Sequence, residues 1–277
     1  MDLQDVRLRS QAEVLFEAQR RQNRQFRSGV VISWVLLLLI LVILFSGESI
    51  LPFGIKGITL DSTFIAANWS FIASGVTTTI GISILSIALA TLLAVFAALG
   101  RLSRFPPLYA LSTFYVSLIR GTPLYLQIFF FFLALPQLGI VLPGLWAGVV
   151  ALGLNYGAYM SEIFRAGIAA VGKGQREAAL AIGMTASQTM RRIILPQALR
   201  FAIPPTGNEF IAMTKDSALV AATGFVHEVL WRATKVGRSQ FRNLEALIIA
   251  AVIYWMLTLV LSALQSRLEA RMSKGER

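Results

Sequence analysis

The chain has 277 residues, of which 56% are hydrophobic and 14% charged, with 25 Lys and Arg against 14 Asp and Glu, a single histidine and no cysteine. A soluble domain devotes about a quarter of its residues to charge, so this balance describes a chain built for lipid. Disulfide scaffolds, thiol catalysis and Cys- or His-based metal sites are excluded, and the net charge of +11 reads as basic residues flanking membrane spans, not as nucleic-acid binding.

Residues 1–28 form a basic leader carrying Arg7, Arg9, Arg20, Arg21, Arg24 and Arg27, with Leu3, Val6, Val14 and Ala18 lending it helical character. The apolar run that follows, 29–46, reads as a first transmembrane helix with a cytoplasmic N-terminus. A cleaved signal peptide is the alternative, against which Phe45-Ser46-Gly47-Glu48 offers no small-residue cleavage pattern. A loop with Pro52, Lys56 and Asp61 leads to a second run, Phe71 to Leu99, closed by Arg101 and Arg104. The third run starts after Pro106-Pro107 and reaches Ala134, interrupted by Arg120-Gly121-Thr122-Pro123. That interruption is either a simple kink or a broken helix of the kind that frames transport sites.

Beyond an uncharged loop from Pro136 to Pro143, a fourth run extends from Leu145 to about Ile168. A polar cassette, Gly174 to Leu199, separates it from a fifth run that starts at Pro204-Pro205 and fades near Phe225. The last run, Leu244 to Leu264, precedes a charged tail over 267–277 with Arg267, Arg271, Lys274 and Arg277. The expectation is an all-α, polytopic membrane protein with both termini cytoplasmic. The segment Val226 to Asn243 disagrees with that topology, because it should lie outside yet holds Arg232, Lys235, Arg238 and Arg242. Either it packs as an amphipathic segment at the outer mouth or the topology fails there.

Within the cassette, Gly174 serves as a first cap with Glu177 reaching back, and Gly183 supplies a left-handed stop. Thr185 opens a second helix with Gln188 in the reciprocal capping position; Pro196 bends or ends it, and Pro204-Pro205 begins the next span. The result is a stiff elbow. Its residues Glu177, Ala178, Ala179, Gly183, Ile193, Leu195 and Pro196 read E-A-A-x3-G-x9-I-x-L-P, which resembles the coupling loop of ATP-binding cassette importer permeases. Arg120-Gly121-Thr122-Pro123-Leu124, the stretch Asn155 to Gly167, and Leu195 to Pro205 resemble the polar amino acid permeases of the histidine, glutamine and arginine type. The resemblance covers about Phe71 to Leu264 and departs at Ser217-Ala218, where the family usually reads Thr-Ser.

The resemblance implies a MetI-like core of five spans over 71–266 with its coupling loop at about 172–200, the N-terminal helix being an addition. It implies a permease subunit of the bacterial inner membrane that is not itself an enzyme and carries no cofactor, ATP and Mg being held by partners. Those partners would be two ATPase subunits, an extracytoplasmic amino-acid-binding protein, a second permease chain and membrane lipid. The chain has no Walker-type phosphate loop of its own. An ion-coupled secondary transporter or channel is the alternative, and it leaves the cassette without a task.

Ionisable and polar residues inside spans mark candidate substrate contacts. These are Arg120, Thr122, Asn155, Glu162, Asn208, Lys215, Asp216 and Ser217. At about 1.5 Å per residue, Lys215 and Asp216 fall roughly 16 Å beyond Pro204, near the middle of a hydrocarbon layer about 30 Å thick. Their opposite charges suit a zwitterion, or alternatively neutralise neighbouring helices.

Overall fold

The computed structural model describes residues 3–45 and 58–273, with side chains over 19–45 and 58–272. Pro52, Lys56, Lys274 and Arg277 lie outside the described residues. The chain divides into two compact units, residues 1–62 and 63–277. In the first, α1 (Leu3–Leu44) is one helix of 42 residues that runs from the basic leader into the first predicted span. No glycine pair or proline interrupts 3–44, and Gly29 alone costs too little to break a helix of that length.

The second unit is helical throughout, with no strand among the described residues. It comprises α2 (Ser62–Ala73, largely within this unit), α3 (Val76–Leu102), α4 (Pro106–Arg120), α5 (Leu124–Phe129), α6 (Gly144–Ala170), α7 (Lys173–Ala181), α8 (Ala186–Thr189), α9 (Leu195–Asp216), α10 (Val229–Ser239) and α11 (Asn243–Ser273). By length and apolarity alone, the segments 19–44, 62–102 and 243–272 can cross a membrane. The third predicted run is no straight span: Pro106–Arg120 and Leu124–Leu138 meet at 105°. Pro123 lacks the N–H that would continue α4, and Gly121 offers no side chain to hold the turn.

Helix α6 forms the centre of this unit, and its glycines let neighbours approach. A Cβ at Gly153 would lie 2.6 Å from Leu89, and one at Gly157 would lie 3.0 Å from Leu93, so α3 and α6 run parallel in a fixed register. A Cβ at Gly148 would meet Val220, whereas one at Gly167 would meet Ala198, so α9 and the 3-10 turn Ser217–Thr223 run antiparallel to α6. Small residues at such crossings replace the hydrophobic drive that lipid cannot supply. The consequence is polarity: the cassette joins α6 and α9 at one end, and the turn after α9 leads to α10 at the other.

Within the basic segment 226–243, α10 is an amphipathic helix. Val229, Ala233 and Val236 of α10 are buried with Phe64 and Ile72 of α2 and with Ala246, Ile249 and Ile253 of α11. The buried Glu228 caps α10 by accepting from Trp231 N at 2.6 Å and also accepts the Tyr254 hydroxyl. Its cations lie against aromatic faces, Arg232 over Phe71 at 5.0 Å and Lys235 over Trp231 at 4.8 Å.

Candidate functional site

Midway along α6, a cavity of about 560 Å³ opens beside Asn155, Tyr156 and Tyr159. The broken helix supplies Arg120, Gly121, Thr122, Pro123 and Leu124, and α9 supplies Glu209 and Asp216. Asn155 lies about 16 Å from the Gly144 end of α6 at 1.5 Å per residue, so the cavity sits near the middle of that helix. The break in the third run is thus a wall of the cavity, as broken membrane helices commonly are.

Gln127 holds that break in shape. Its side-chain amide donates to the carbonyls of Ile119 (2.9 Å) and Thr122 (3.2 Å) and to Thr122 Oγ1 (2.9 Å), satisfying the end of α4 that Pro123 leaves open. Asn155 Nδ2 in turn donates to Gln127 Oε1 at 3.1 Å, tying the break to α6. On the opposite wall, Asp216 Oδ2 accepts the Tyr156 hydroxyl at 2.8 Å. Arg120 lies over the Tyr159 ring at 5.0 Å and faces Glu162 Oε1 at 3.6 Å. The cavity therefore presents one guanidinium and two carboxylates on different helices, an arrangement able to bind a carboxylate and a cation together.

Four of the predicted substrate contacts line this space: Arg120, Thr122, Asn155 and Asp216. The other four do not. Lys215 is exposed away from the cavity, because adjacent helical residues point about 100° apart and Asp216 takes the inward position. Ser217 is buried with its hydroxyl given to Thr214 O at 2.8 Å. Asn208 faces α11, where its Oδ1 accepts from Gln265 at 3.0 Å. Glu162 lies a turn further along α6, bound to Arg101 and, at 2.8 Å, to Arg165. Sequence reasoning missed Glu209, Tyr156, Tyr159 and Gln127. Glu209 carried a signal, since it precedes Asp216 by two helical turns and so shares its face.

The cassette is built largely as its capping residues predict. Thr185 and Gln188 form the reciprocal capping box, with Thr185 N to Gln188 Oε1 at 2.9 Å and Gln188 N to Thr185 Oγ1 at 3.3 Å. Gly183 takes φ +78, and the bonds Met184 N to Ala179 O (3.0 Å) and Gly183 N to Leu180 O (2.9 Å) make a Schellman stop. Three details differ. α7 starts one residue before Gly174, behind Gly172, so Gly174 is not the cap, and Glu177 is exposed on the helix body. Ala179 is 3% exposed and packs within the chain, so the surface offered outward is that of Glu177, Ala178, Leu180 and Ile182. Pro196 does not end the second helix, nor do Pro204-Pro205 start a new one. A π-helical turn, Met190–Ile194, widens the helix so that Leu195 N bonds Met190 O, and the missing N–H of Pro196 falls where the ladder is already re-registered. Ile193 and Leu195 lie in and just after this turn. Ile194 is buried with Ile168, Val171 and Ala198, rooting the cassette on α6.

The sequence matches the model for "Binding-protein-dependent transport system inner membrane component" over residues 90–274. It is 39% identical over 218 residues to the arginine transport system permease protein ArtQ of Bacillus subtilis strain 168, covering 78% of this chain and 99% of that protein. It is 41% identical over 210 residues to the L-cystine transport system permease protein TcyB of the same organism, covering 74% and 88%. Among solved structures, an amino acid ABC transporter crystallised with histidines matches at TM-score 0.74 and 38% identity, over 77% of this chain and 100% of that one. The inward-facing MetNI methionine ABC transporter matches at TM-score 0.59 and 16% identity over 77% and 99%, a likeness of fold.

Proposed function

We propose, from the premise that this chain belongs to the family of binding-protein-dependent transport inner membrane components, that it is the permease of an importer for polar amino acids. The observation that carries the substrate class is the cavity's charge pattern, Arg120, Glu209 and Asp216 lining one space. Arg120 receives the substrate carboxylate, Asp216 and Glu209 receive its ammonium and any cationic side chain, and Asn155 and Thr122 fix orientation. A basic amino acid satisfies all three charges, a neutral polar one satisfies two. The names of the relatives, which include arginine and L-cystine permeases, support the same class.

The chain works with two ATPase subunits, an extracytoplasmic binding protein and a second permease chain. α7 presents Glu177, Ala178, Leu180 and Ile182 to an ATPase groove, while Ala179, Gly183 and Pro196 hold the elbow in shape. ATP and Mg belong to those ATPase subunits. Both termini lie on the cytoplasmic side with the cassette.

The test is ATP-driven uptake of radiolabelled L-arginine, L-histidine and L-glutamine by the complete complex in liposomes. Asp216→Asn and Glu209→Gln are expected to weaken L-arginine uptake more than L-glutamine uptake, with ATPase subunits still bound. Equal loss for both substrates, or uptake that needs no ATP, would overturn the reading.

A further inference from the structure

Just beyond the cavity, toward the cassette, three guanidiniums converge on one carboxylate. Glu162 Oε1 accepts from Arg101 of α3, with Arg120 of α4 at 3.6 Å, and Glu162 Oε2 accepts from Arg165 Nε at 2.9 Å and Nη2 at 2.8 Å. The register that sets Leu93 against Gly157 also brings Arg101 level with Arg165, so two helices deliver positive charge to one level of the bundle. Three cations thus stand against one anion, and Arg120 and Arg165 keep 43% and 42% of their side-chain surface open to a second acceptor. Arg101 Nε is moreover buried with no acceptor among the described residues. The donors around Glu162 thus exceed the acceptors.

Arg120 belongs to both places. It lines the cavity, and at 3.6 Å it is the most loosely held of the three on Glu162.

We propose that Arg101, Arg120 and Arg165 form a carboxylate-binding station on the cassette side of the cavity, in which the α-carboxylate of the transported molecule competes with Glu162. This rests on the amino-acid reading above. An arriving carboxylate engages Arg120 in the cavity, then exchanges for Glu162 on Arg101 and Arg165 as it moves along α6. Glu162 keeps the station from becoming a trap, since its return to the arginines expels the ligand. No bond is made or broken covalently; the exchange is one of charge-assisted hydrogen bonds.

The experiment measures equilibrium binding of L-arginine and of L-argininamide, which lacks the α-carboxylate, to the full complex in lipid nanodiscs. Glu162→Gln is expected to tighten L-arginine binding about tenfold, leave L-argininamide unchanged, and slow ATP-driven uptake through delayed release. Arg165→Gln, outside the cavity lining, is expected to weaken L-arginine binding alone, and it serves if the Glu162 variant does not assemble. Equal shifts for the two ligands, or none, would make the cluster a brace between helices and overturn the station. Failure of the unsubstituted complex to bind L-arginine, L-histidine or L-glutamine would instead overturn the amino-acid reading, and the station with it.

Discussion

The Schellman stop at Gly183 makes a prediction with a definite sign. α7 has only nine residues, too few to be stable alone, so its end depends on the two closing bonds at 2.9 and 3.0 Å. Gly183 holds φ +78, and a Cβ there would meet nothing within 4 Å, so within this chain the penalty of Gly183→Ala is purely conformational. That penalty is about 1–2 kcal/mol, which raises the opened population of the elbow roughly 5- to 30-fold. Asn tolerates the left-handed region better than Ala although it is larger. ATP-driven uptake per ATP hydrolysed is therefore expected to fall in the order Gly, Asn, Ala, and amide exchange at Met184 to rise in the same order. If the position acted instead through steric fit to the ATPase, Asn would be the worse substitution. That reversed order would refute the account.

Other substitutions test the packing that holds the cavity in place. A Cβ at Gly148 would lie 2.4 Å from a Val220 methyl; Gly148→Ala is expected to cost about 1–3 kcal/mol, and Val220→Ala to recover much of that loss, read as non-additive shifts in the thermal midpoint of the purified complex. Glu228→Ala leaves the Trp231 amide and the Tyr254 hydroxyl without their acceptor; about 1–3 kcal/mol should be lost for each, and Glu228→Gln should lose less in the same melting assay. Phe241 is 91% exposed at φ +55, so Phe241→Gly is expected to stabilise by about 1 kcal/mol, visible as a raised midpoint without loss of uptake.

How far the sequence could be read depended on whether a feature is local. The capping box at Thr185 and the stop at Gly183 follow from side chains and backbone within a turn, and both stand as predicted. The kink at Arg120 to Pro123 was legible as a weak point, but not as a 105° bend, because its angle is set by Gln127 and by Asn155 from another helix. Lys215 and Asp216 were read as a pair from adjacency alone. Helical geometry separates them by about 100° and pairs Asp216 with Glu209 on one face instead. Glu162 was found for its cost in a membrane, whereas Arg101 was read only as a marker of topology. Its partner lies 61 positions away, a distance that no local pattern bridges.

The prolines misled for a reason that bears on transmission. Pro196, Pro204 and Pro205 each lack a donor, and local reasoning makes Pro196 a bend or an end and Pro204-Pro205 a start. Instead the second cassette helix passes through the π-helical turn Met190–Ile194 into α9, and α9 continues to Asp216. Over its 22 residues α9 is about 33 Å long at 1.5 Å per residue. One helical rod therefore has the cassette elbow at one end and a cavity carboxylate at the other. Displacement of the elbow reaches Asp216 along a helix axis, with no loop between to absorb it. Where the rod yields is set by its missing bonds. Pro204 and Pro205 leave the carbonyls of Arg200 and Phe201 without their helical donors, which concentrates bending between the cassette and the cavity. Gln265 of α11 donates to Pro204 O at 3.0 Å and to Asn208 Oδ1 at 3.0 Å, bracing that stretch from outside. A swing of the elbow would therefore turn the Glu209 and Asp216 face relative to α6 about the stretch that α11 braces, where Asn208 is held by Gln265.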